Sequence, residues 1–84
     1  MFNNLFSQNL RSYRKDLGLT LEELAKRVGI SFSTLGYYER GSKCPTLYTL
    51  LLLANFFELN LHELCSESFC PFSEQVKEKL LNKK

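Results

Sequence analysis

The sequence predicts an all-α domain of five short helices followed by a tail helix, and three observations carry that prediction. Apolar residues recur at helical spacing through most of the chain, with no alternating strand pattern, internal repeat or low-complexity run. Thr20 with Glu23, and Asn60 with Glu63, have the spacing of N-terminal capping pairs, and Ser31, Thr46 and Ser73 stand where further caps belong. Gly18, Gly29 and Gly41 stand where helices must stop, because glycine closes a helix in the left-handed conformation without a Cβ penalty.

The first helix is expected from about Asn4 to Leu17, with Phe6, Leu10, Tyr13 and Leu17 on one face. Thr20 opens the second, where Leu19 and Leu24 form a hydrophobic staple and Leu21, Leu24, Ala25 and Val28 are inward candidates. Ser31 opens the third, stapled by Ile30 and Leu35, with Leu35 and Tyr38 inward. Thr46 caps a fourth helix to about Phe57 that is apolar nearly all round, so it belongs in the core with an excess face left as an interface. Asn60 opens a short fifth helix, with Leu59 and Leu64 as its staple. Residues 66–71 read as a linker, and Ser73 caps a last helix from Glu74 to about Asn82 with Val76 and Leu80 as its apolar stripe. Glu74 at its start and Lys83 and Lys84 at its end suit the helix dipole.

Eighty-four residues make one domain near the lower limit for folding alone, so pairing with a second copy would help. No uninterrupted apolar run approaches a membrane span, and residues 1–15 lack a signal-peptide core; a soluble, intracellular protein is expected. Cys44, Cys65 and Cys70, an odd count, fit reduced thiols. The net charge of +2 is uneven: residues 1–43 carry seven Lys or Arg against four Asp or Glu (+3), and residues 44–84 carry four against five (−1). The basic surplus therefore lies with the second and third helices.

The stretch from Leu19 to Gly41 reads as two short capped helices joined by a tight turn, a shape that sets one helix into the major groove of DNA. The ordered series Leu10-Arg11-x-x-Arg14, Gly18-Leu19-Thr20-x-Glu22-Glu23-Leu24-Ala25, Val28-Gly29-Ile30-Ser31, Leu35, Glu39-Arg40-Gly41, Pro45 and Leu50 resembles the phage-repressor and Cro type of helix-turn-helix transcriptional regulators, also called the xenobiotic-response-element type. The resemblance spans about Leu10 to Leu64 and implies a lambda-repressor-like five-helix DNA-binding domain over residues 1–65. Residues 66–84 lie beyond it as linker and tail helix, an element available for dimerisation. It further implies a cytoplasmic, nucleoid-associated protein, bacterial or phage-encoded, whose partner is double-stranded DNA.

Carried onto this chain, the resemblance puts Phe32, Ser33, Gly36 and Tyr37 against base edges and Arg40 and Lys43 against the DNA backbone. Thr20 and Ser31 join them at the two helix starts, and Arg14 pairs with Glu39 between the first and third helices with a phosphate contact besides. The chain departs from the family here, since its groove positions carry Phe, Ser, Gly and Tyr where Gln, Arg or Lys is common. Phe32 suits a thymine methyl, Ser33 and Tyr37 can hydrogen-bond, and Gly36 permits a close approach of the backbone. Leu21 stands where the family often places a phosphate-bridging Gln, and backbone donors at the helix starts would have to compensate. Lys26 and Arg27 read as solvated.

Other chemistry is poorly supported. His62, Cys65, Cys70 and Cys44 lack the spacing of a familiar metal site, and the single His has no nucleophile partner. No cofactor, metal, small-molecule substrate or catalytic residue is expected. The function expected is a repressor that binds an inverted-repeat operator as a homodimer, reading half-sites about one turn (roughly 34 Å) apart. The rival is a protein-interaction module of the same fold, such as an antitoxin or a regulator's partner, anchored by Phe32 and Tyr37.

Overall fold

Capping chemistry sets where every helix after the first begins in the computed structural model, which describes residues 3–83, with side chains from residue 5. Lys84, counted above toward the tail helix's dipole, lies outside the described residues. The helices are α1 (Asn3–Asp16), α2 (Leu21–Val28), α3 (Phe32–Arg40), α4 (Leu47–Phe57), α5 (Leu61–Cys65) and α6 (Glu74–Leu81). The Thr20 hydroxyl accepts from the Glu23 backbone N–H at 3.1 Å, and the Glu23 carboxylate accepts in return from the Thr20 N–H at 2.8 Å. That second bond holds the Glu23 carboxyl below its ordinary pKa. Asn60 and Glu63 repeat the arrangement at α5. Ser31, Thr46 and Ser73 each accept from the backbone N–H three residues on.

Gly18, Gly29 and Gly41 close α1, α2 and α3 with positive φ, as their positions suggest. The end of α4 is different. Glu58 closes it at φ 59°, in a conformation that costs a non-glycine residue roughly 1–2 kcal/mol. Two tail lysines offset that strain: Lys79 and Lys83 pair with the Glu58 carboxylate at 3.1 and 3.3 Å. Lys83 Nζ also donates to the Asn55 and Phe56 carbonyls, which lie in the last turn of α4.

The core forms where α1 packs on α3 and α5, and α2 on α3 and α4. Phe6 and Leu10 of α1, Leu24 of α2, Leu35 of α3, Leu53 and Phe57 of α4 and Leu64 of α5 are its fully buried centre. Leu80 of α6 is equally buried, so the tail completes this core. Phe69 and Phe72 turn inward onto their own domain, with ring centroids 4.9 and 5.0 Å from that of Tyr13. Asp16 accepts from the Phe72 N–H at 2.9 Å and pairs with Lys77, while buried Asn9 donates to the Leu64 and Glu67 carbonyls. Arg27, read from sequence as solvated, instead donates to the Leu81 carbonyl at 2.7 Å and latches α2 to the tail.

Helix α4 is central on one side only. It buries Leu53, Ala54, Phe56 and Phe57 but leaves Leu47, Tyr48 and Leu51 at 63, 71 and 49% exposure. Among the described residues no helix is long and apolar enough to cross a membrane, and no three His, Cys, Asp or Glu side chains are grouped to hold a metal. Partial burial pushes the Cys65 thiol above its ordinary pKa.

The Glu58 latch gives a pH signature. Lys79 and Lys83 hold the carboxyl below its ordinary value of 4.5, so its contribution to stability is complete above that pH and is lost as pH falls through the lower folded value. Urea denaturation across the acid range should show a shallower loss of stability in Glu58→Gln than in the parent chain.

Candidate nucleic-acid interface

Helix α3 spans nine residues and is held from behind by contacts of three kinds. Leu35 and Tyr38 are buried in the core, and the Tyr38 ring meets Phe6 edge-on at 6.4 Å. The Ser7 hydroxyl of α1 donates to the Tyr38 carbonyl at 2.7 Å. Arg14 completes the clamp: its Nε and Nη2 donate to the two Glu39 carboxylate oxygens at 2.7 and 3.0 Å, and its Nη1 to the Leu19 carbonyl at 2.9 Å. With side-chain exposures of 14 and 8%, this pair is too buried for either partner to be lost cheaply. One side chain thus ties α1 to α3 and to the strand of backbone that starts α2. Three of the five Arg14 N–H donors are thus taken up inside the domain.

The turn before α3 is made by Gly29 at φ 90°, with the N–H groups of both Gly29 and Ile30 donating to the Ala25 carbonyl. With Leu35 and Tyr38 inward, Phe32, Ser33, Tyr37 and Arg40 come to the outer side, and Phe32 is 51% exposed. These four, with Gly36 and Leu21, line one hollow of about 160 Å³. The Arg40 guanidinium lies 5.1 Å from the Tyr37 ring centroid and Lys43 Nζ lies 4.7 Å from it, so two cations sit against one aromatic ring.

Two expectations change in detail. Gly36 is buried beneath the Arg40 and Leu21 side chains, so the close approach it permits is theirs and not that of an open strip of backbone. The start of α2 is a poor anion site, because Glu22 and Glu23 occupy its first turn and Glu23 already takes the Thr20 N–H. Thr20 is therefore a cap first. The start of α3 carries no acidic residue; there Ser31 accepts from Thr34 and its hydroxyl donates to the Thr34 Oγ1. An anion near α3 meets a helix N-terminus without a competing carboxylate.

Leu21, expected both as an inward residue and at the family's phosphate-bridging position, packs partly against the core and also walls the outer hollow. The Tyr37, Arg40 and Lys43 cluster was within reach, since the first two stand three apart on one helix face. A rim of two cations around aromatic and small polar groups matches a nucleic-acid groove, where phosphates flank base edges.

Comparison with known proteins agrees. The Helix-turn-helix family model matches residues 10–64. The cryptic phage CTXphi transcriptional repressor RstR of Vibrio cholerae is 34% identical over 76 residues, which cover 90% of this chain and 68% of the repressor. The Bacillus subtilis HTH-type transcriptional regulator YobD, itself uncharacterised, is 40% identical over 57 residues, or 68% of this chain and 51% of that one. A transcriptional regulator from Listeria innocua with a crystal structure aligns at a TM-score of 0.67 and 26% identity, covering 90% of this chain and 71% of its own. The chain thus spans about two thirds of the first relative and about half of the second.

Removing Glu39 should leave the Arg14 charge stranded. Glu39→Ala is expected to cost about 3–5 kcal/mol, measured as a lowered urea midpoint with an unchanged slope.

Proposed function

We propose that this chain, which belongs to the Helix-turn-helix family of transcriptional regulators, represses transcription by occupying a specific double-stranded DNA site with α3 in the major groove. The observation that carries the reading is the gathering of Phe32, Ser33, Tyr37 and Arg40 on one outward face of α3, with Lys43 beside Tyr37. Phe32, Ser33 and Tyr37 meet base edges, and Arg40 and Lys43, held at the rim by the Tyr37 ring, meet phosphates. Ser31 and the start of α3 add backbone donors toward a phosphate, and Thr20 is a lesser contact at the start of α2. No catalytic step belongs to this activity, and the protein works in the cytoplasm where the DNA is.

The active species is a homodimer that reads an inverted repeat. A single nine-residue helix covers one half-site, and two half-sites one turn apart require a two-fold partner. The tail's apolar stripe is largely committed to its own domain, since Leu80 is in the core and Phe69 and Phe72 pack on Tyr13. Helix α4 is available: it contains no charged residue, and Leu47, Tyr48 and Leu51 stand exposed on it. The α4 face is the dimer surface of this reading.

Selection of binding sites from random DNA should enrich a short inverted repeat with one-turn spacing. Tyr37→Ala with Arg40→Ala should abolish that binding and leave a folded dimer, while Lys43→Ala should weaken binding evenly and reduce the salt slope by about 2, about 0.9 for each protomer's lysine. Two exposed aromatics in place of charged groove residues also suit a protein-interaction module. That reading takes over if selection enriches nothing and the weak binding simply fades with salt.

The dimer is tested separately. Leu51→Glu should turn the dimer into a folded monomer in analytical ultracentrifugation and lose the inverted-repeat preference; a dimer that persists in Leu51→Glu overturns the α4 assignment.

A further inference from the structure

The floor of the α3 hollow is the one position of that helix without a side chain. A Cβ on Gly36 would stand 3.2 Å from Arg40 Nη1 and 3.5 Å from Leu21 Cδ2, so the space exists because residue 36 is glycine. Leu21 comes from the first turn of α2, and Phe32 from the first turn of α3, each supplying an apolar wall. Ser33, Tyr37 and Arg40 complete the rim. A hollow of this make-up on a groove-facing surface is selective by its chemistry. Every base pair shows hydrogen-bonding groups in the major groove, but only thymine shows an apolar one, its 5-methyl group. The side chains of Leu21 and Phe32 offer no hydrogen bond, so a polar base edge pressed there would lose water without compensation.

We propose that this hollow is a receptor for the 5-methyl group of thymine, with Leu21 as a specificity-determining residue contributed to the groove face by α2. Size permits it: the hollow of about 160 Å³ exceeds several times the roughly 30 Å³ that one water-sized group occupies in a liquid. It therefore takes a methyl with part of its ring edge, or the methyls of two adjacent thymines. Arg40 lies over the Tyr37 ring at 5.1 Å while its Nη1 reaches the Gly36 end of the floor, so the apolar receptor is the part of the hollow walled by Leu21 and Phe32. The proposal rests on the reading of α3 as the groove helix.

The test replaces thymines by deoxyuridine, one at a time, in the DNA site obtained by selection. The exchange removes a methyl and keeps every hydrogen-bonding group. At one or two positions per half-site, affinity is expected to fall about four-fold, the worth of one buried methyl-sized group. In Leu21→Gln, which puts a polar amide in the wall, that thymine-to-uracil ratio should shrink toward one at the same positions. Leu21→Ala, which removes the wall without adding polarity, should shrink it likewise. The ratio is read within each variant, so a general loss of affinity or stability does not affect it. A preferred site whose uracil-substituted forms all bind equally overturns this inference alone. A ratio unchanged in both Leu21 variants overturns the role of Leu21. Absence of any preferred site overturns both the regulator reading and the inference built on it.

Discussion

The Arg14–Glu39 pair is the constraint on which the rest of the functional face depends. Helix α3 has nine residues, fewer than the roughly 12–15 an isolated helix needs to persist in water. Its existence and its rotation about its own axis must both come from tertiary contacts. Leu35 and Tyr38 supply the hydrophobic part, but apolar contacts alone tolerate small rotations and slides. A bidentate carboxylate–guanidinium pair does not, because two bonds of 2.7 and 3.0 Å fix direction as well as distance. The third bond, from Arg14 to the Leu19 carbonyl, extends that register to the start of α2, where Leu21 stands two residues on. The hollow between Leu21 and Gly36 is thereby defined by a contact on the opposite side of α3.

The tail belongs to the same mechanical system. It is joined to the body through backbone carbonyls and carboxylates as much as through apolar side chains: Arg27 to Leu81, Lys83 to Asn55 and Phe56, Phe72 to Asp16. A domain of this size buries a modest fraction of its surface, so the aromatic layer of Tyr13, Phe57, Phe69 and Phe72 is a large part of what holds it folded. Using those rings internally leaves the tail with only partly exposed apolar residues, Val76 and Leu81 among them. The exposed side of α4 is left as the largest apolar feature away from α3.

Much of the fold was legible in the sequence because its signals are local. The caps at Thr20, Ser31, Thr46, Asn60 and Ser73, and the stops at Gly18, Gly29 and Gly41, are decided within three or four residues, and each is found where the sequence places it. What could not be read depends on distant partners. Glu58 closes a helix in a conformation its side chain disfavours because Lys79 and Lys83, more than twenty residues away, pair with it. Arg27 reads as a solvated charge until the Leu81 carbonyl is brought to it. At the candidate site the same division holds. The outward set of Phe32, Ser33, Tyr37 and Arg40 follows from the cap and helical spacing, whereas the part played by Leu21 depends on how α2 crosses α3.

A groove face of this composition separates affinity from selectivity. With Arg40 and Lys43 as its rim cations, the proposed dimer would neutralise on the order of four phosphates, each contributing about 0.9 to the salt slope. The sequence-independent attraction is therefore weak, as the net charge of +2 also implies. Contacts by Phe32, Ser33 and Tyr37 carry little charge, so the energy they add is nearly insensitive to salt and is gained only at matching bases. Weak general binding with selective local contacts gives a favourable ratio of specific to non-specific occupancy. It also leaves one protomer short of useful affinity. In the proposed dimer, doubling the contacts across a two-fold axis would multiply the selective part along with the rest, and for that reason dimerisation is integral to the proposed mechanism of a chain with so few cations on its α3 face.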